Sequence, residues 1–175
     1  MRRLSVILLV ALLLCGCGAK DTAADTTEAA KQATAVEKII SNDTLVDLIR
    51  LELAYNADED RAQYIDKLEA LAQITVTEYT LEGDTITATV SVTAPNMYAI
   101  AKTMENEPFT DAATVDAAVC AKLEASEDMV TKSCTLTFRQ VEEVWSVVFT
   151  EEFNDALYGG LITYRNEYLA SLEVQ

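Results

Sequence analysis

The chain has 175 residues, with 13 Lys and Arg against 29 Asp and Glu, a formal charge of −16 at pH 7. Phosphate recognition needs clustered basic side chains, so this balance argues against nucleic acid as a partner and against lying on an anionic lipid surface. No histidine is present; the commonest general acid–base group is therefore missing, along with Ser–His and Cys–His nucleophile pairs and closed Cys/His zinc sites.

The first residues follow an export pattern. Arg2 and Arg3 precede a largely apolar stretch of eleven residues, Leu4 to Leu14, too short to cross a bilayer, which takes about 20. Next comes Leu14-Cys15-Gly16-Cys17. This run resembles the lipobox of bacterial lipoproteins, which has a Leu three positions before the lipidated cysteine and a small residue just before it. Cys17 fits that position, with Gly16 ahead of it; Cys15 would place bulky Leu14 at the cleavage point. The resemblance implies that residues 1–16 are a removable signal peptide and that Cys17 carries a diacylglyceryl group. It also implies that the membrane is a partner through this anchor, and that the protein sits on the extracytoplasmic face of the cell membrane. One acyl chain binds a membrane marginally, whereas two hold it. The mature chain would keep 11 basic and 29 acidic residues, a charge of −18.

After Cys17, "GAKDTAADTTEAAKQAT" lacks aromatic and large aliphatic residues. Residues 17–34 therefore read as the lipidated N-terminus and a flexible tether, and 35–175 as a single domain, long enough for one hydrophobic core. Leu45, Leu48, Ile49 and Leu53 repeat with helical spacing, with Asn42 or Asp43 as the expected cap. A second helix is expected in "DEDRAQYIDKLEALAQ", with Tyr64, Leu68 and Leu71 on one face and Asp58, Glu59 and Asp60 at its start.

The period then changes to two. Ile86, Ala88, Val90, Val92 and Ala94 alternate with Thr and Ser, a half-buried strand. Its partner, from Ile74 to about Leu81, changes parity between Val76 and Tyr79, which predicts a bulge near Glu78 and a turn at Glu82-Gly83-Asp84. Met97, Ile100, Ala101 and Met104 return to helical spacing, more often a core stripe than a binding surface. A helix over 111–125 follows, with Val115, Val119 and Leu123. A second hairpin places Cys134, Leu136 and Phe138 on one face, and Trp145, Val147 and Phe149 on one face of the return strand. Its turn, Val141 to Val144, lacks the Gly or Asn that tight turns prefer. Phe153, Leu157, Leu161, Tyr164 and Tyr168 form a final stripe interrupted by Gly159-Gly160, either a helix break or a close backbone contact.

The segments "TVSVTAPNMYAIAKTM" and "VEEVWSVVFTEEFNDALYGGL" are similar to small Gram-positive lipoproteins with a cystatin-like or nuclear-transport-factor-2-like domain. Trp145 matches the tryptophan of the last strand, and Leu157 with Gly159-Gly160 the small-residue close; Glu142-Glu143 departs from the family's Gly-containing turn. The resemblance implies a cone-shaped cavity, which in that superfamily serves enzymes and non-catalytic binders alike. Element order independently indicates an α+β fold, with helices packed on one face of a curved antiparallel sheet built from two hairpins.

Few residues carry candidate chemistry. Cys120 and Cys134 are a candidate disulfide in an exported domain, with buried free thiols the alternative. "NADED" from Asn56 begins like a calcium loop, but Arg61 and Lys67 stand where Gly and the bidentate Glu are required. Glu151, Glu152 and Asp155 read as the acidic first turn of the last helix, and Trp145 as core. The expectation is a non-catalytic binding or interaction module for a protein or small-molecule ligand, without metal, cofactor or catalytic residues. The alternative is an enzyme using the cavity.

Overall fold

Alternating apolar and hydroxylated residues pair into a four-stranded antiparallel sheet in a computed structural model that describes residues 40–57 and 61–173. The strands β1 (Gln73–Glu82), β2 (Thr85–Pro95), β3 (Met129–Val141) and β4 (Val144–Val148) lie side by side in sequence order. The sheet is therefore two hairpins joined by the β2–β3 pair, and it does not close into a barrel. Among the described residues there are six α-helices: α1 (Asn42–Tyr55), α2 (Gln63–Leu71), α3 (Met97–Met104), α4 (Ala112–Ala125), α5 (Glu151–Leu157) and α6 (Leu161–Glu173). The fold is α+β. Cys17, the signal segment, the tether and Asp58, Glu59 and Asp60 lie outside the described residues.

Strand parity sorts the sheet into two faces. Ile86, Ala88, Val90, Val92 and Ala94 of β2, with Leu136 and Phe138 of β3, are buried under α1 and α5. The opposite face pairs hydroxyl with hydroxyl, as in Thr87↔Thr137, Thr89↔Thr135, Ser91↔Ser133 and Thr93↔Thr131. These hydroxyl-bearing side chains, mostly β-branched Thr, suit a pleated surface in water. The predicted bulge is present: the β1–β2 register shifts between Val76 and Glu78. One extra residue lets Ile74 and Val76 on one side of the bulge, and Tyr79 and Leu81 on the other, all meet the inward residues of β2.

The helices divide between two apolar clusters. Leu45, Ile49 and Leu53 of α1 join the sheet core, as do Phe153, Ala156 and Leu157 of α5. Leu68 of α2 packs instead with Met97, Ile100 and Met104 of α3 and Val119 and Leu123 of α4. Tyr158 touches both clusters. Two sequence expectations change here. The cap of α1 is Ser41, whose hydroxyl accepts from the Thr44 N–H at 3.1 Å, rather than Asn42 or Asp43. Leu71 is exposed, because α2 ends there and the chain turns into β1. The first amides of α2 are held from a distance: Gln63 and Tyr64 N–H donate to the Asp116 carboxylate of α4 at 3.1 and 2.9 Å. An anion at this end of a helix is favoured by its exposed N–H groups and dipole.

Trp145 shares its strand face with Val147, and it is half-buried at the margin of the sheet core rather than enclosed within it. Phe149 stacks on Phe153 with ring centroids 4.9 Å apart, tying the end of β4 to α5.

The β3–β4 turn is tight despite its composition. Val141 pairs with Val144, leaving Glu142 and Glu143 as a two-residue loop with φ of 51° and 66°. Positive φ at both positions is the hairpin geometry that matches strand twist, and it normally takes Asn-Gly. A residue with a Cβ pays on the order of 1–3 kcal/mol in this region. Both side chains are exposed, so replacing them loses no packing. The double substitution Glu142→Asn, Glu143→Gly is expected to stabilise the domain by about 1–2 kcal/mol, read as a higher denaturant midpoint at unchanged slope.

Candidate functional site

The helical cluster does not close on itself. Between α2, α3, α4 and α6 it leaves an open groove of about 220 Å³. Met97, Ala101 and Met104 of α3 line one side, Val115 and Val119 of α4 the other. Tyr64 of α2, Phe109 of the α3–α4 connection and Tyr164 of α6 add aromatic wall. The methionine stripe is thus both core and groove lining. One carboxylate belongs to the site: Glu105, the C-cap residue of α3.

Local chemistry sets each part in place. Pro95 ends β2, and the Asn96 side chain caps α3 by accepting from the Ala99 N–H at 3.1 Å. The Asp111 side chain and Thr114 form a reciprocal capping box that starts α4. Tyr98 of α3 meets Tyr164 edge to face at 5.9 Å, and Tyr164 stacks on Tyr168 at 6.1 Å. The Tyr98 hydroxyl donates to Glu167 at 2.5 Å, holding α6 against α3. Burial, then the Asp116 carboxylate, pushes the Tyr64 phenol up, and burial followed by Glu105 does the same at Tyr164. Both phenols therefore keep their protons at neutral pH.

A polar knot ties α5 to β3 and α6. Asp155 is buried near the end of α5, not in its first turn as expected; Glu151 and Glu152 alone occupy that turn. Its carboxylate accepts from Lys132 Nζ at 2.6 Å, from Thr163 N–H at 2.8 Å and from Thr163 Oγ1 at 2.7 Å. Asp155 thereby caps α6 across the Gly159-Gly160 break. A shallow depression brings Glu151, Glu152 and Asp155 together, yet Asp155 has its oxygens engaged. No group of three metal-ligating side chains occurs among the described residues.

Cys120 and Cys134 are free thiols, both half-buried. Cys120 Sγ lies 3.8 Å from Asp116 within α4, whereas Cys134 Sγ lies 3.9 Å from the Val90 carbonyl in the sheet. Cys134 packs on the sheet core, while the buried residues of α4 beside Cys120, Val119 and Leu123, belong to the helical cluster. Burial raises both thiols above their ordinary range, with Asp116 adding to the effect at Cys120 and Glu152 at Cys134.

Fold and groove together define an α+β domain with a filled sheet core and an apolar cleft among its helices. No family model, no curated protein and no solved structure matches the chain.

Asp155 supplies a test of how much this knot stabilises the domain. Burial alone would raise its pKa, but the Lys132 ammonium and the Thr163 backbone and hydroxyl donors outweigh it and hold the carboxyl below its ordinary value of 3.8. A depressed native pKa adds stability above the unfolded value, and that stability is lost as pH falls through the native one. Asp155→Ala should therefore cost about 1–3 kcal/mol at pH 7 by leaving donors unpaired. It should also flatten the loss of stability in acid below about pH 4, measured by denaturant unfolding across pH.

Proposed function

We propose that the protein is a membrane-anchored extracytoplasmic lipoprotein, held by lipid at Cys17, whose α+β domain is a non-catalytic binding module working through the helical groove. The groove carries this reading. Ligand sites are concave, mostly apolar and preformed, with a few placed polar groups, and this one combines methionine and aromatic walls with two phenols and one carboxylate. Between sheet and helices, where the resemblance implies a cone-shaped cavity, Phe138, Phe153, Leu45 and Ile49 fill the space with no exposure. With the sheet core filled, the helical groove is the concave surface that remains for a ligand. Anchoring is supported by the order Arg2-Arg3, apolar run and Leu14-Cys15-Gly16-Cys17. Among the described residues no helix is long and apolar enough to cross a membrane. A high negative charge keeps the domain off the anionic surface to which it is tethered.

Cys17→Ala expressed in a bacterial host is expected to leave the detergent phase for the aqueous phase, or to remain uncleaved. A variant that loses its signal yet still partitions with detergent would overturn the lipoprotein reading.

A further inference from the structure

We propose that the helical groove selects a small organic cation, an ammonium group carrying a compact alkyl or aryl body; this rests on the groove being the binding site. Charge complementarity carries the inference. Glu105 has no ion-pair partner among the described residues, while the nearby bases are engaged: Lys122 pairs with Glu107 at 2.9 Å, Lys67 pairs with Glu124, and Lys102 sits 5.7 Å over the Tyr98 ring. Glu105 also stands where α3 ends. Backbone carbonyls give a helix C-terminus a partial negative charge that adds to the carboxylate.

The walls suit the same charge. Phe109, Tyr64 and Tyr164 lie around the groove, and aromatic rings attract ammonium groups, most strongly where water is excluded. Met97 and Met104 adapt to an apolar body. An anion meets Glu105 and a chain of charge −16, and a neutral body desolvates the carboxylate without pairing it. At about 220 Å³, the space falls below the ~300–1,000 Å³ of drug-sized sites, so the ligand is compact.

The methionines report on it directly. In the full-length protein with carbon-13-labelled methionine methyls, Met97 and Met104 are in the groove, and Met129, exposed at the start of β3, is an internal control. Choline and its neutral isostere 3,3-dimethylbutan-1-ol are titrated in parallel. Choline is expected to shift Met97 and Met104 but not Met129, and to bind about tenfold more tightly than the alcohol. Glu105→Gln, at an exposed position, should bring the two affinities together. Equal affinities in the unsubstituted protein overturn selection for a cation and leave the groove as the site. No shift at Met97 or Met104 with either compound overturns the groove as well.

Discussion

The structure turns on one backbone crossing. At Gly159, where φ is +55°, a Cβ would lie 1.8 Å from the Pro95 carbonyl oxygen and 2.8 Å from the Met97 nitrogen. Only glycine permits that approach and that conformation together. Contact is paid back in hydrogen bonding: the Tyr98 N–H donates to the Gly159 carbonyl at 3.0 Å. Gly160, at φ +84°, continues the turn beside Tyr98. Both sequence readings of the Gly-Gly pair therefore hold: it is a helix break and a close contact, and the break exists so that the contact can form.

From this crossing the two apolar clusters acquire a fixed relation. On one side, α5 buries Phe153, Ala156 and Leu157 in the sheet core. On the other, α6 leaves at a new angle with no fully buried residue and adds Leu161 and Tyr164 to the groove. Asp155 spans the break by joining Lys132 of β3 to the start of α6, and Tyr158 packs on both clusters. The groove is thus the gap left where a helical cluster is held against the end of a filled sheet core. A preformed gap binds with less ordering cost than one assembled by the ligand.

Much of the fold was legible in the sequence because its strands alternate cleanly. The inward set of β2, the parity change that became the bulge, and the stripe Leu45, Ile49, Leu53 all follow from local periodicity. What was not legible depends on partners distant in the chain. Asp116 holding the start of α2, Asp155 capping α6 across a break, and a groove drawn from four helices and a connection leave no local pattern. The tight turn at Glu142-Glu143 was hidden for the opposite reason: its residues disfavour the geometry that the paired strands impose. The sequence left Cys120 and Cys134 as a candidate disulfide or as free thiols, because spacing along the chain does not report that one sits beside Asp116 in α4 and the other beside the Val90 carbonyl in the sheet. Cys17 lies outside the described residues, so its role rests on the lipobox resemblance alone.

Native-state hydrogen exchange on Gly159→Ala tests the crossing most directly. Displacing the Pro95 contact should cost protection first at the Tyr98 amide and then through α3 and α6, while the β1–β2 and β2–β3 ladders keep most of theirs. Wild-type protection at Tyr98 and across α3 in the variant would contradict the account, because the groove would then stand without the contact said to hold it.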